Sequence, residues 1–186
     1  MNYGETDFMK KQRTILNAKD IERAIIRISC EIIEAHKGAD NLALIGIMTR
    51  GDFLANRLKN QIEKLERISI PVGDMDINLY RDDWTRISSQ PIVRPSKIPF
   101  SVDEKEIILV DDVLFTGRTI RAAMDALMDF GRPSRIELAV LVDRGHRELP
   151  LQADYKGVCL NTIYSDMVNV HIVEHDGNDR VFIEQD

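Results

Sequence analysis

The chain has 186 residues, of which 44% are apolar, and this amount of apolar sequence predicts one α/β domain over residues 1–186. The formal net charge of −6 and a pI near 5.3 argue against a protein whose whole surface binds nucleic acid, so an RNA site would be local. No stretch has the apolar length of a membrane span or the pattern of a signal peptide, which predicts a cytoplasmic protein without membrane contact.

The first helix follows a short N-terminal extension. Residues 1–13 are polar with scattered charge and are predicted to be flexible, and Ile15-Leu16 is predicted as an edge strand. Asn17 is a candidate N-cap, and apolar residues then recur at helical spacing. A packing helix is therefore predicted from Ala18 to about Lys37.

Three reactive side chains are interpreted as structural. Cys30 and Cys159 have neither a metal-ligand spacing nor a disulfide pattern, and they are predicted to be buried thiols of the core. His36, near the end of the first helix, is expected to stabilise the helix dipole when it is protonated. None of the three is predicted to bind a ligand.

A second strand is predicted over 42–47 from an unbroken apolar run, which is typical of strands buried on both faces. The polar turn Met48-Thr49-Arg50-Gly51 follows, and an amphipathic helix comes next. Arg50 is either a solvated turn charge or part of an anion site at this strand–loop–helix junction. The second interpretation is favoured because the chain repeats the same unit further on.

The next segment contains a strand and then a long irregular stretch. Alternating apolar and polar residues predict a strand over 73–80. The stretch from Arg81 to Val102 has three prolines, four basic residues and few apolar anchors. A loop of this length inside a compact domain is usually a lid or is disordered. Arg81 is the candidate for reaching a ligand, Arg86 is a weaker one, and Trp84 is a candidate hinge anchor.

The most informative stretch is 107–119. An apolar run, Ile107-Ile108-Leu109-Val110, predicts a buried strand that ends at Asp111-Asp112, and Thr116-Gly117-Arg118-Thr119 opens the next helix. Free N–H groups and the helix dipole then favour a phosphate at the loop. Carboxylates beside a phosphate site can hold sugar hydroxyls or a metal bound to the ligand. The alternative is that the acidic pair only ends a strand and Thr116 only caps a helix.

A further strand is predicted over 135–142, again followed by charged residues, Asp143 to Pro150. Three strand ends are thus expected to converge at one edge of the sheet, and His146 there is a candidate for contacting a base or a partner. The remaining chain offers three short strands, predicted over 158–160, 168–173 and 181–183.

The string 107–119 resembles the phosphoribosyl pyrophosphate signature of the type I phosphoribosyltransferases. The resemblance implies an α/β fold with a central, mainly parallel sheet flanked by helices, a small hood over the nucleobase and a mobile catalytic loop. It implies that Asp111 and Asp112 hold the ribose hydroxyls and that the following residues bind substrate: Val113, Leu114, Phe115, Thr116, Gly117, Arg118 and Thr119. Further residues implied in the site are the pyrophosphate loop Thr49, Arg50 and Gly51, Arg81 as a catalytic residue, and Asp143 and Arg144 beside the substrate. Mg²⁺ is implied as a cofactor held mainly through phosphoribosyl pyrophosphate, with no metal site built by the protein alone.

Four strings, residues 79–83, 110–114, 131–134 and 141–150, are similar in order and spacing to the PyrR family. This resemblance implies a uracil phosphoribosyltransferase that forms UMP, and a UMP-responsive regulator that binds pyrimidine-operon leader RNA, in a homodimer or homotetramer. Arg27, His146 and Arg147 match the family's RNA contacts, as does Thr49. Polar or basic residues are replaced at six other positions: Ile26, Cys30, Ala35, Met48, Gln152 and Val158. Weak RNA binding is therefore predicted, since Lys and Arg supply much of the affinity for RNA.

Three alternatives remain open at this point. The chain could be a UMP-sensing RNA-binding regulator with little catalysis, or a purine phosphoribosyltransferase that uses the same ribose-phosphate site. A phospho-acceptor receiver domain would explain Val110-Asp111-Asp112, but it has no counterpart of the Thr-Gly-Arg-Thr loop. An assay of UMP formation separates the first two from the main interpretation.

Overall fold

A computed structural model describes residues 11–78, 80 and 95–185. Five strands of the described chain form a parallel sheet in the order β3-β2-β4-β5-β6. They are β2 (Leu42–Ile47), β3 (Val72–Met75), β4 (Glu106–Leu114), β5 (Arg135–Asp143) and β6 (Tyr155–Cys159). The central strands β2, β4 and β5 are almost wholly buried, as their unbroken apolar runs predict.

Helices cover both faces of this sheet. α1 (Ala18–His36) and α2 (Gly51–Glu66) pack on one face, and α3 (Arg118–Met128) packs on the other. Side chains of a strand alternate between the two layers: Leu44 joins the α1 and α2 core, whereas Ile45 joins the α3 core. The architecture confirms the predicted α/β fold with a central parallel sheet flanked by helices.

A capping box starts α1 at the predicted residue. The Asn17 side chain accepts hydrogen bonds from the backbone N–H groups of Lys19 and Asp20, and the Asp20 carboxylate accepts one from the N–H of Asn17. The helix ends at His36, where Lys37 adopts a left-handed conformation with φ of 56°. The predicted helix is thus confirmed to within one residue.

A second, small antiparallel sheet has the strand order β1-β8-β7 and shares no strand with the parallel sheet. Its strands are β1 (Lys11–Asn17), β7 (Met167–His171) and β8 (Arg180–Gln185), and the short helix α4 (Val173–Asp176) joins the last two. This unit corresponds to the predicted hood. Among the described helices, none combines the length and the apolar character needed to cross a bilayer.

Several local predictions need correction. β4 does not stop at the acidic pair but continues through it to Leu114, paired with β5. β3 is only four residues long, and the short strand predicted over 158–160 overlaps β6, which begins at Tyr155 and belongs to the parallel sheet. β1 begins at Lys11, so residues 11–13 of the predicted flexible extension lie in a strand, and residues 1–10 lie outside the described residues.

The three side chains interpreted as structural also differ from expectation. Cys30 and Cys159 are exposed, because Cys30 lies on the outer face of α1 and Cys159 ends the edge strand β6. The His36 side chain is 2% exposed and contacts two carboxylates, Glu106 at 2.5 Å and Glu137 at 2.7 Å. Its hydrogen-bond partners are therefore side chains of β4 and β5, while the residue itself lies in the last turn of α1.

Candidate active site at the carboxyl edge of the parallel sheet

The carboxyl ends of β2, β4 and β5 meet at one edge of the sheet, because these strands are parallel and adjacent. The loops that follow them, 48–51, 113–119 and 143–150, meet at this edge as well. The predicted convergence of three strand ends is confirmed. Ligand sites of open α/β sheets lie at such an edge, and we take it as the candidate active site.

The acidic pair Asp111-Asp112 lies near the C-terminal end of β4. Asp111 is only 7% exposed and stands in register with Val140 of β5, whereas Asp112 is half-buried. The Asp111 carboxylate accepts a hydrogen bond from the N–H of Asp112 at 2.9 Å, and the Asp112 carboxylate accepts one from the N–H of Val113 at 2.7 Å. Both carboxylates are thereby fixed by the backbone at the mouth of the site.

Burial has an electrostatic consequence at Asp112. Desolvation raises the pKa of its carboxyl, although the charge of Arg50 and the hydrogen bond from Val113 act in the opposite direction. The ionised form is therefore less stable than in water. A ligand that brings hydroxyl donors or positive charge to Asp112 would relieve this cost.

The 113–119 loop leads from the acidic pair into α3. Gly117 adopts a left-handed conformation with φ of 93°, and a Cβ atom there would lie 3.3 Å from the Leu151 side chain. The carbonyl of Thr116 accepts hydrogen bonds from the N–H groups of Glu148 and Leu149, and its hydroxyl accepts one from the N–H of Arg118 at 3.4 Å. Gly117 stands at the N-cap and provides no capping side chain, so α3 begins with N–H groups directed at the loop. This is the geometry in which helix N-termini bind phosphate.

The 48–51 loop packs directly on the strand that carries the acidic pair. A Cβ atom on Gly51, the first residue of α2, would lie 2.3 Å from the carbonyl oxygen of Val110. Only glycine allows the start of α2 to approach β4 this closely. The peptide bond between Met48 and Thr49 is cis. The 48–51 loop therefore lies next to the strand that carries Asp111 and Asp112.

Arg50 is held by a residue from the other end of the chain. Its Nε donates to Asp176 at 2.9 Å and its Nη2 donates to the second oxygen of the same carboxylate at 2.8 Å. The hydrogen bond to Asp176 raises the pKa of Arg50 despite partial burial, and the charge of Asp112 adds to the effect. The same bond holds the pKa of Asp176 far below its usual range. Both groups are therefore charged at neutral pH.

Arg144 connects two loops of the site. Its guanidinium lies 4.0 Å from the centre of the Phe115 ring and donates to the carbonyls of Ile163 and Tyr164 at 3.1 and 3.3 Å. The residue is 6% exposed, and burial lowers its pKa. Asp143 precedes Arg144 and is paired with Arg147. Burial alone would raise the pKa of Asp143, but the hydrogen bond from Arg147 keeps this pKa below its usual range. Arg144 thus links Phe115 to residues 163 and 164, and Asp143 is tied to Arg147 within its own loop.

The three candidate RNA contacts lie in different settings. Arg147 donates to the backbone carbonyls of Phe115 and Gly145 at 2.8 and 2.9 Å, and the ring of His146 contacts the carbonyl of Thr162 at 2.8 Å. Both side chains therefore stabilise the 143–150 loop. Arg27 is exposed on α1, where it bridges to the carbonyls of Lys156 and Gly157 in β6.

The sequence did not reveal two contributors to the site. Asp176 lies 126 residues from Arg50, in a segment without any motif, and nothing in the local pattern announces the pairing. Tyr164 was also missed; its ring lies 5.2 Å from that of Phe115 and 5.8 Å from that of His146. An isolated aromatic residue in a polar loop, such as Tyr164, is the only signal that could have been followed.

The predicted catalytic loop cannot be placed relative to these residues. Arg81, Trp84 and Arg86 lie outside the described residues, together with the remainder of 81–94. Their roles remain predictions from the sequence.

Known proteins share both the sequence and the fold of this chain. The family described as the phosphoribosyl transferase domain matches residues 11–176. The chain is 54% identical over 173 residues to the bifunctional protein PyrR of Syntrophobacter fumaroxidans, covering 93% of each chain. It is 57% identical over 168 residues to the bifunctional protein PyrR of Deinococcus deserti, covering 90% of this chain and 92% of the relative.

Solved structures extend the comparison of the fold. A hypoxanthine phosphoribosyl transferase of Trypanosoma cruzi superimposes with a TM-score of 0.72 at 14% identity, covering 97% of this chain and 95% of that one. A hypoxanthine phosphoribosyltransferase of Staphylococcus aureus superimposes with a TM-score of 0.68 at 18% identity, covering 93% and 92%. At these identities the likeness concerns the fold alone.

Proposed function

The chain belongs to the bifunctional PyrR family of phosphoribosyltransferases, and from this premise we propose that it transfers the phosphoribosyl group of phosphoribosyl pyrophosphate to uracil. The products are UMP and pyrophosphate. The observation that carries the proposal is the position of the acidic pair between two anion loops at one sheet edge. A five-carbon sugar with a phosphate on one side and a pyrophosphate on the other matches this arrangement in order and in charge.

Each loop has a role in the proposed reaction. Thr116, Gly117, Arg118 and Thr119 hold the 5′-phosphate through the N-terminus of α3, and Asp111 and Asp112 accept hydrogen bonds from the ribose hydroxyls. The 48–51 loop holds the pyrophosphate, with Arg50 as its charged donor. Arg81 is proposed to approach the leaving group from the segment outside the described residues.

The reaction is a displacement at ribose C1′ by uracil N1, through a centre with oxocarbenium character. Such a step depends on positioning and on stabilisation of the leaving charge, so no covalent nucleophile is required. The pyrophosphate departs toward Arg50, while Asp111 and Asp112 hold the ribose in place.

Mg²⁺ fits this site as an ion carried by the substrate. The described residues contain no group of three or more side chains suited to bind a metal, whereas two carboxylates stand beside the proposed pyrophosphate position. Asp111 and Asp112 would therefore complete a shell supplied mainly by phosphoribosyl pyrophosphate. When bound, the ion neutralises charge on the departing pyrophosphate.

The uracil position is proposed beneath the segment that precedes β7. Arg144 and His146 attach this segment to the site through the carbonyls of Thr162, Ile163 and Tyr164. The Phe115 and Tyr164 rings lie nearby and offer apolar surface for a planar base.

We also propose that the chain retains a weak affinity for pyrimidine-operon leader RNA, stimulated by UMP, as the word bifunctional in the relatives' names suggests. Arg27 is exposed on α1, where it also donates to the carbonyls of Lys156 and Gly157 and pairs with Glu31. Arg147 and His146 are engaged with backbone carbonyls, so their contribution to RNA binding would be small. A homodimer or homotetramer is the proposed assembly, by family resemblance.

UMP formation from uracil, phosphoribosyl pyrophosphate and Mg²⁺ tests the main proposal directly. We expect turnover with uracil and not with hypoxanthine or guanine. Turnover with a purine base would establish the purine alternative. Absence of turnover with any base, together with measurable UMP binding, would establish a UMP-sensing regulator.

A further inference from the structure

We propose that Asp176 is a positioning residue for pyrophosphate binding: it grips one edge of the Arg50 guanidinium and thereby directs the other edge into the site. The inference rests on the proposed function of the 48–51 loop and adds a residue outside every motif of the sequence. Asp176 itself does not touch the substrate in this arrangement. It acts through Arg50.

The pattern of hydrogen bonds on Arg50 supports this assignment. Asp176 occupies Nε and Nη2 with its two carboxylate oxygens, at 2.9 and 2.8 Å. A planar guanidinium held in this bidentate way has a fixed orientation. Nη1 makes no hydrogen bond to any residue that the structure describes, so both N–H groups of Nη1 and the second N–H of Nη2 remain for a ligand.

Asp176 is itself fixed before a ligand arrives. Its carboxylate accepts a hydrogen bond from the N–H of Ile172 at 2.8 Å, which closes the short helix α4 on its own start. The Asp176 side chain is 13% exposed and that of Arg50 is 29% exposed, so water screens the pair only partly. The carboxylate is ionised at neutral pH, because the bond from Arg50 keeps its pKa low.

The acidic pair gives the positioning its chemical purpose. Arg50 and Asp112 attract each other electrostatically, so an Arg50 side chain released from Asp176 would turn toward the ribose carboxylates. It would then compete with the ribose and be lost to the pyrophosphate. Asp176 prevents this by holding Nε and Nη2 of Arg50 in two direct hydrogen bonds.

A second ion-pair cluster in the same region provides a matched control. Arg57, on α2 two turns beyond Arg50, donates to Asp179 at 2.8 Å, and also to Glu174. Asp179 in turn accepts a hydrogen bond from the N–H of Val173 at 2.7 Å. Both clusters fasten the 172–179 segment to α2, but only Asp176 contacts a residue of the 48–51 loop.

The test measures binding of Mg-pyrophosphate by calorimetry, with no base present, to the wild-type chain, Asp176→Asn and Asp179→Asn. Asparagine keeps the size of the side chain but loses the charge and one acceptor oxygen. We expect Asp176→Asn to bind Mg-pyrophosphate about tenfold more weakly and to raise the KM for phosphoribosyl pyrophosphate in proportion, with the KM for uracil unchanged. Asp179→Asn is expected to stay within about twofold of the wild type.

Two further variants keep the inference falsifiable. In an Arg50→Ala background, Asp176→Asn should have no additional effect on binding, because its action passes through Arg50. Should Asp176→Asn fail to fold, Arg50→Lys replaces it, since lysine keeps the charge but cannot be gripped on two sides, and an equal loss is expected.

Three results would overturn the inference. Unchanged binding by Asp176→Asn would show that the bidentate hydrogen bonds to Arg50 have no role in ligand binding. An equal loss of binding in Asp179→Asn would show that both residues only stabilise the small antiparallel sheet and α4. Tighter binding by Asp176→Asn would show that Asp176 competes with pyrophosphate. Because no base is present, a wild-type chain that binds Mg-pyrophosphate but forms no UMP would refute the proposed reaction and leave this inference standing.

Discussion

Gly51→Ala provides a direct test of how the anion loop is built. A Cβ atom at this position would lie 2.3 Å from the carbonyl oxygen of Val110, and both groups belong to the backbone of regular elements. Carbon and oxygen atoms in contact need about 3.2 Å, so the start of α2 would have to move from β4 by about 1 Å. Neither α2 nor β4 can yield by rotating a side chain.

The displacement should affect both stability and activity. Overpacking of this kind costs about 1 to 3 kcal/mol of unfolding free energy, which corresponds to a decrease of about 2 to 12 °C in Tm for a chain of this size. A displacement of about 1 Å in a loop that positions a reacting group can lower kcat/KM by about a hundredfold. The loss should appear mainly in the kcat/KM for phosphoribosyl pyrophosphate, because Arg50 and Thr49 move with Gly51.

Thermal unfolding and steady-state UMP formation measure the two effects. Asn60→Ala is the matched control, since Asn60 is exposed on α2 and lies outside the 48–51 loop. It should leave kcat/KM unchanged. A Gly51→Ala variant with the kcat/KM and Tm of the wild type would refute the reasoning. It would show that the start of α2 can accommodate a Cβ atom beside the Val110 carbonyl.

Three further predictions follow from the fold and its charges. Asp112→Asn should weaken phosphoribosyl pyrophosphate binding yet stabilise the fold at neutral pH. Burial raises the pKa of Asp112 above its unfolded value of 3.8, so native stability falls as the pH rises from that value through the raised pKa. Denaturant unfolding at several pH values should show a smaller fall over this range in the variant. His36→Ala should lower the unfolding free energy by about 1 to 3 kcal/mol, because it removes the buried imidazole from Glu106 and Glu137 while Glu137 keeps Arg135 and Tyr155 as partners; a loss below about 1 kcal/mol in urea titrations would contradict this role. Gln152→Arg combined with Met48→Lys should strengthen binding of a leader RNA hairpin and steepen its salt dependence, as measured by filter binding at several salt concentrations; tight binding by the unaltered chain at physiological salt would show that the missing basic residues are not needed.

Features confined to contiguous segments were predictable from the sequence. The N-cap at Asn17 was predicted from its residue type and the apolar spacing that follows it, and the buried strands β2, β4 and β5 were predicted from unbroken apolar runs. The 107–119 string predicted the phosphoribosyltransferase family, and the family match over residues 11–176 confirms this prediction. These succeed because period, cap chemistry and turn residues act over a few neighbouring positions.

The prediction that both cysteines are buried was wrong, and for Cys30 the helical pattern of the sequence already indicates an exposed position. Cys30 follows Ile28 by two positions, and two residues along a helix turn the side chain to roughly the opposite face. The helical period therefore predicts an exposed Cys30. The general tendency of cysteine to be buried was the weaker guide.

Only the tertiary structure decided which distant groups meet. Residues 155–159 form the edge strand β6 of the parallel sheet, Arg50 pairs with Asp176 across 126 residues, and His36 lies between carboxylates of β4 and β5. Such pairs leave no periodic trace, because each partner satisfies the local rules of its own segment whether or not the other is present. Their geometry depends on how whole helices and sheets are oriented against one another, and that orientation is fixed by the packing of the complete core.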